Sequence, residues 1–402
     1  MYSRDFVLYL LSRVCSATAM TMLRAAILWH VFALSHSAFH LGLIGIVQFV
    51  PAAVLSLVGG AVADSYDRRR IMMAAQVVPL VCSAALCFAT VTGSANLLFL
   101  YSMVLLAAVA AAFDNPSRAA LLPTLVAREV FPKAVTVAST IQALAFMSGP
   151  ALGGFLIAAA GIGTAYAAQA GLIAGSLAGL LFLRSRPHQG PRRAVSLQAI
   201  REGLAFVRRR QEVLGCMTLD MFAVIFGGAT ALLPIYANEI LQVGARGYGL
   251  LTASLELGAL LMAFILMALP TITRAGRALL VGVAVYGIAT IVFGLSRSFP
   301  VSVLAYMIVG MGDQVSVVMR STIVQLSTPD ELRGRVSSVN MIFIGASNQL
   351  GAAESGFVAA LTNATFSVVS GGVGCLLVLA IVATKLPRLR RYRVGVDSPA
   401  GS

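Results

Sequence analysis

Charge is what this sequence has least of. Only 11% of its 402 residues are Asp, Glu, Lys or Arg, against 59% that are hydrophobic, whereas a soluble domain carries roughly 25% charged residues. That shortage excludes a water-soluble globular protein. Tryptophan occurs once, histidine four times and cysteine five times. Cys15, Cys82, Cys87, Cys216 and Cys375 all lie inside apolar runs without metal-ligand spacing, so they read as small buried hydrophobes. The histidines at 30, 36, 40 and 188 form no metal motif, and no metal is expected. A phosphate-binding G-x-x-x-x-G-K-(S/T) loop is missing, as are His-Glu-x-x-His and an embedded Ser-His-Asp arrangement. Those absences argue against ATP hydrolysis and intramembrane catalysis, so the chain reads as a non-enzyme with no cofactor. Phe6 to Leu34 is too long for a cleavable signal peptide and reads as an uncleaved span.

What the sequence does have is one apolar run after another, each near the 20 or so residues that cross a bilayer. Spans are expected near 6–33, 38–63, 71–92, 96–119, 134–161, 163–183, 213–241, 247–270, 278–296, 299–326, 335–361 and 365–386. The fold class is therefore an all-α integral membrane protein. Its 12 transmembrane helices form two pseudo-symmetric six-helix bundles, which puts both termini on one side.

The net charge of +14 is a topology signal. Of the 29 Lys and Arg, 23 fall on the terminal side, two (Arg246 and Arg297) on the other, and four (Arg13, Arg24, Arg118 and Arg320) inside spans. Short cytoplasmic loops retain Lys and Arg during insertion, so both termini are expected in the cytoplasm and the protein in a bacterial inner membrane. No basic patch interleaved with aromatics exists, which argues against nucleic acid as a partner.

Only one connection is long. Residues 184–212 carry eight arginines and divide the spans six and six. Within it, apolar residues at 197, 200, 204 and 207 fit a helix lying along the membrane face. The expected organisation is a first bundle over 1–183, this central loop, a second bundle over 213–386 and a tail over 387–402. The halves also match each other at a fixed shift of 202 residues: Arg118 meets Arg320, Glu129 meets Glu331, Lys133 meets Arg335 and Val137 meets Val339. Gly149 meets Gly351 and Gly154 meets Gly356 at the same shift. Such a parallel repeat places a substrate site between two halves near the bilayer midplane.

Two segments carry a family resemblance. GGAVADSYDRRR, residues 59–70, presents Gly60, Asp64, Arg68 and Arg69 where the major facilitator superfamily has G-x-x-x-D-(R/K)-x-G-(R/K)-(R/K), and departs from it at Ser65 and Asp67. SGPALGG, residues 148–154 with Gly149, Pro150, Gly153 and Gly154, is similar to the G-P-x-x-G-G segment of drug and proton antiporters. The chain resembles this superfamily over its full length. Asp67 and TPDELRGRVSSV, residues 328–339, look like the branch of enterobactin-type siderophore exporters. The resemblance implies that spans one, four, seven and ten line a cavity, and that Asp64 and Arg68 latch the halves together. Arg69 and Arg70 are expected to meet lipid phosphates. Without the resemblance, Gly and Pro in span five still remove bulk and one backbone donor, which lets a neighbouring helix approach closely.

Ionisable groups inside spans are costly and mark functional candidates. Arg13 and Asp114 fall at similar depth, as do Asp220 and Arg320, and two pairs of opposite polarity are expected to hold or close the cavity walls. A carboxylate without a cation beside it in a low-dielectric cavity can exchange a proton near neutral pH, which makes Asp313, Glu256 and Glu354 candidates for proton coupling. Arg24, Asn348 and Gln349 join Arg13, Asp114 and Asp220 as cavity or substrate candidates. Trp29 reads as an interfacial anchor. The expected function is secondary export of an amphiphilic small molecule such as a siderophore or drug, in exchange for protons, by a monomer in the lipid bilayer. Uptake or lipid flipping on the same fold is the alternative, and a non-transporting sensor a second.

Overall fold

The computed structural model describes residues 4–127, 129–184, 197–270 and 272–394, and among the described residues no strand occurs. Helix is the outcome expected where the backbone must satisfy its own N–H and C=O groups in hydrocarbon. The first six helices are α1 (Arg4–Ser35), α2 (Ala38–Ser65), α3 (Arg68–Val91), α4 (Leu97–Leu125), α5 (Phe131–Ala160) and α6 (Ile162–Leu181). The amphipathic segment of the central connection forms α7 (Leu197–Arg209). Then follow α8 (Gln211–Gly227), α9 (Leu233–Ile235), α10 (Gly244–Ala268), α11 (Ala275–Leu295), α12 (Phe299–Leu326), α13 (Asp330–Leu361), α14 (Ala364–Lys385) and α15 (Pro387–Arg391).

Among the described residues, eleven helices are long and apolar enough to cross a membrane. The twelfth place belongs to α13, whose 32 residues suffice in length but include Asn340, Ser347, Asn348 and Gln349 at its middle. Two expectations need correction. α4 runs to Leu125, six residues past the expected end at 119, with Pro116 and Pro123 inside it; proline terminates a helix less readily where neighbouring helices re-satisfy the freed carbonyls. The seventh span, expected as one helix over 213–241, is broken. α8 stops at Gly227, a 3-10 turn spans Ala229–Leu232, and a π turn spans Tyr236–Ile240 after the three residues of α9. Gly227 and Gly228 lower the cost of leaving the helix, and Pro234 lacks the N–H that would continue it.

The chain divides into two compact units. The first comprises 1–36, 47–195 and 243–253, and the second 37–46, 196–242 and 254–402. Inside the first unit α1 packs along α5 and α6, and α3 along α4 and α6. A core of Phe6, Tyr9, Met72, Leu121, Leu125, Ala134, Leu180 and Leu183 fills the end at which α1 begins. Inside the second unit α11 packs between α12 and α14, α8 lies on α13 and α14, and α7 lies on α13. Gly203 of α7 meets the backbone of Arg335 there, and Glu202 pairs with the Arg335 side chain.

Candidate functional site

In the first unit, polar side chains from four helices join into one network. Arg118 of α4 is buried and bonds Asp114, one turn earlier on the same helix, with Nε 3.2 Å from Oδ2. Its Nη2 also reaches the Ser16 hydroxyl of α1 at 3.4 Å. Asp114 Oδ1 accepts from Gln76 Nε2 of α3 at 3.2 Å. Gln76 Oε1 in turn accepts from the Ser176 hydroxyl of α6 at 2.7 Å, and Ser12 of α1 stands 2.8 Å from Ser176. Each of these groups would be expensive to leave bare in hydrocarbon; joined, they hold α1, α3, α4 and α6 in one register.

Arg13, expected beside Asp114, goes elsewhere. Its Nη1 donates to the Tyr9 hydroxyl at 3.0 Å, its Nε to the Ala138 carbonyl of α5 at 3.2 Å, and its Nη2 to Gln142 Oε1. The expected Arg13–Asp114 pair is thus not formed. Equal depth says nothing about the direction a side chain faces, and Asp114 has a cation four residues away on its own helix face. Tyr9, Gln76 and Gln142 were missed because lone polar residues in apolar runs give no pattern, although the 114–118 spacing was legible.

The second unit does bring its pair together. Asp220 of α8 and Arg320 of α12 are ion-paired, with side chains 8% and 6% exposed. Beside them lies a small cavity lined by Asp220, Ala223, Val224, Val283, Tyr286, Asp313 and Ser316. Asp313 is half-buried and makes no ion pair or hydrogen bond among the described residues. Glu354 of α13 is half-buried and accepts from the Ser355 hydroxyl at 3.4 Å, while that hydroxyl also stands 3.0 Å from the Gly228 carbonyl at the helix break. Glu256 is half-buried on α10. Arg24 is exposed on α1, and exposed Asn348 donates to the Ile344 carbonyl of its own helix at 3.0 Å. Gln349 keeps its Oε1 buried without a partner among the described residues.

The SGPALGG segment sits in α5 against two neighbours. A methyl on Gly149 would lie 2.0 Å from Thr21 Oγ1 of α1, and one on Gly153 3.0 Å from Met22 Cγ. One on Gly154 would lie 2.6 Å from the Ala245 carbonyl and from Gly249 Cα of α10. Pro150 is buried inside α5. Trp29 packs on Tyr248 with ring centroids 5.4 Å apart, and the Tyr248 hydroxyl donates to the Ala25 carbonyl at 3.0 Å.

In the 59–70 stretch, Gly60 and Asp64 fall on α2, but their side chains lie outside the described residues. Arg68 Nη1 donates to the Ala120 carbonyl of α4 at 2.9 Å. Asp67 caps α3, accepting from the Arg69 N–H at 2.9 Å. Arg69, expected at lipid phosphates, instead holds the end of α6 by donating to the Leu180 and Leu181 carbonyls at 2.7 Å each. Terminal carbonyls without helical partners draw a basic side chain. Arg70 is 85% exposed, 3.8 Å from Asp67.

Comparison with known proteins agrees with this architecture. Enterobactin exporters EntS of Escherichia coli O1:K1 and O157:H7 are each 25% identical over 383 residues, covering 95% of this chain and 92% of theirs. A solved POT family transporter in complex with a thioalcohol-conjugated peptide superposes with TM-score 0.77 at 13% identity, covering 96% of both chains. A bacterial homologue of the human lysosomal transporter Spinster gives 0.72 at 14%, over 96% of this chain and 95% of that one. At such identities the structures speak to the fold alone. The family model described as transmembrane secretion effector matches residues 3–395. With that match spanning nearly the whole helical array, the chain belongs to the transmembrane secretion effector family of major facilitator transporters.

Proposed function

We propose that this transporter exports an amphiphilic small molecule of the siderophore or drug type in exchange for protons, by alternating access. The observation that carries the reading is Asp313. It lines a cavity next to an acid already neutralised by Arg320, yet makes no ion pair of its own. A carboxylate so placed can take up and release a proton as its surroundings change. Glu354 and Glu256 are the second choices for the same task. Arg13, Arg24, Asp114, Asp220, Asn348 and Gln349 are proposed to face or support the substrate path. Gly60, Asp64, Arg68, Arg118, Arg320 and the Gly149, Pro150, Gly153, Gly154 segment are proposed as gating parts.

The two six-helix halves, 1–183 and 213–386, are proposed to rock about a central site as a monomer. The count of basic residues supports a bacterial inner-membrane protein with both termini in the cytoplasm. The EntS relatives put a siderophore first among substrates to try. Everted membrane vesicles test the reading. Acidifying the lumen should drive enterobactin inward, and Asp313→Asn should abolish that pH-driven accumulation while sparing binding. Accumulation that needs no proton gradient, or that keeps its full pH dependence in Asp313→Asn, overturns the proton assignment.

A further inference from the structure

The cavity around Asp313 is lined along α8 by Asp220, Ala223 and Val224, and one further lining side chain, Tyr286 of α11, reaches the point at which the seventh span breaks. Its backbone lies against α12 beside Asp313: a methyl on Gly312 would fall 2.8 Å from Tyr286 N and 3.1 Å from its Cα. Its ring reaches the other way, onto the last residue of α8. A methyl on Gly227 would fall 2.3 Å from Tyr286 Cε1 and 2.7 Å from its hydroxyl oxygen. Tyr286 is therefore wedged between the helix that carries Asp313 and the point at which the seventh span leaves helical geometry. The hydroxyl makes no hydrogen bond among the described residues, and Asp313 is one of the charges that act on it.

The break itself is held from two further sides. The Gly228 carbonyl accepts from Ser355 of α13 at 3.0 Å, and Gly371 of α14 leaves room for the Phe226 carbonyl, which would lie 1.8 Å from a methyl there. Neither contact reaches the cavity lining; Tyr286 belongs to both places.

We propose that Tyr286 is a positioning residue that ties the proton on Asp313 to the shape of the seventh span. This rests on Asp313 being the proton site. When Asp313 is ionised, its carboxylate draws the phenol O–H into the cavity as a charge-assisted hydrogen bond, and the ring edge leaves Gly227. When Asp313 holds a proton, that attraction is lost and the ring returns to the glycine, which keeps α8 ended at Gly227. Only the proton on Asp313 is exchanged; the phenol keeps its own. The other charged or titratable groups at this cluster are Asp220 on α8, Arg320 and Tyr306 on α12, Cys375 on α14, and Glu354 on α13, which shares the Ser355 hydroxyl with the Gly228 carbonyl at the break. Glu256 stands on α10, which packs on α12 where Leu255 meets Gly310. Asp220 and Arg320 neutralise each other, so Asp313 is the carboxylate of the cavity lining without a cation beside it.

Hydrogen–deuterium exchange of peptides covering 228–240, in the purified full chain reconstituted in nanodiscs, tests this without a substrate. After correction for intrinsic exchange, the wild type should show a several-fold change in protection between mildly acidic and mildly basic buffer. Asp313→Asn and Tyr286→Phe should each remove that change, the latter with the ring and its packing retained. Gly227→Ala, which pushes the ring off the break, should show the less protected state in both buffers. If Asp313→Asn is flat and Tyr286→Phe still follows the wild-type change, the Tyr286 proposal is wrong and the Asp313 reading stands. If the change survives in Asp313→Asn, or is missing from the wild type, the Tyr286 proposal fails, whereas the Asp313 reading fails only if vesicle accumulation keeps its full pH dependence in Asp313→Asn.

Discussion

Arg320 and Asp220 bind α12 to α8 through an ion pair in which both side chains are less than a tenth exposed. The equivalent arginine 202 residues earlier, Arg118, takes its carboxylate from its own helix, four residues back at Asp114. At the matching place before Arg320 stands Ser316, and Arg118 in turn meets a serine, Ser16, on α1. Each of the two arginines thus has a carboxylate partner, taken from its own helix in the first half and from α8 in the second.

Breaking the second-half pair leaves a buried charge uncompensated, which costs roughly 3–5 kcal/mol. Asp220→Ser should lower the thermal unfolding midpoint of the detergent-purified protein sharply. Adding Ser316→Asp rebuilds the first-half arrangement and should recover most of the loss. A double variant no more stable than Asp220→Ser alone would show that the two halves are not equivalent at this arginine.

In the first half, exchanging charges between Arg13 and Asp114 should give no rescue. Arg13 is spent on Tyr9, Gln142 and the Ala138 carbonyl, and Asp114 on Arg118 and Gln76. Transport and stability of Arg13→Asp/Asp114→Arg should be no better than those of the worse single variant. Recovery in the double would mean that the two side chains meet during the cycle.

Close approach makes Gly149 and Gly154 intolerant of a methyl group. Gly149→Ala or Gly154→Ala should destabilise by about 1–3 kcal/mol through overpacking, read as a lower unfolding midpoint. Gly171→Ala is the control, since a methyl there meets nothing within 4 Å. It should be neutral or stabilising by up to about 1 kcal/mol from helix propensity.

Asp67 caps α3 and Arg69 ties α3 to the end of α6, whereas Arg70 is mostly exposed. Asp67→Ala should cost about 1 kcal/mol, and Asp67→Gly, which restores the glycine of the superfamily motif, only a few tenths. Arg69→Ala removes two charge-assisted bonds to α6 and should cost about 1.5–3 kcal/mol. Arg70→Ala should stay within about 0.5 kcal/mol. Equal losses at Arg69 and Arg70 would contradict this division.

The apolar runs made the helices legible, because a bilayer leaves the backbone few other choices. The surface helix over 197–209 was legible from four apolar positions at helical spacing. Depth along a span was legible as well, and it was enough for Asp220 with Arg320. Direction around the helix was not, which is why Arg13 was assigned to the wrong neighbour. Tyr286 escaped notice because a tyrosine in a span of valines and glycines is unremarkable until the glycine it rests on is known. The break after Gly227 escaped because Gly-Gly pairs also occur in unbroken spans, and it takes the packing at Tyr286, Ser355 and Gly371 as well to favour leaving the helix here.

The polar middle of α13 has a consequence for how the chain is made. A segment carrying Asn340, Ser347, Asn348 and Gln349 at its centre partitions poorly from the translocon into lipid by itself, since polar groups there are paid for individually until a partner helix covers them. Its insertion is expected to depend on α8 and α14, the long helices it packs on, so the second half would be completed only when α14 is made. Glycosylation mapping of chains ended after α13 and after α14 should find α13 lodged across the bilayer only in the longer one.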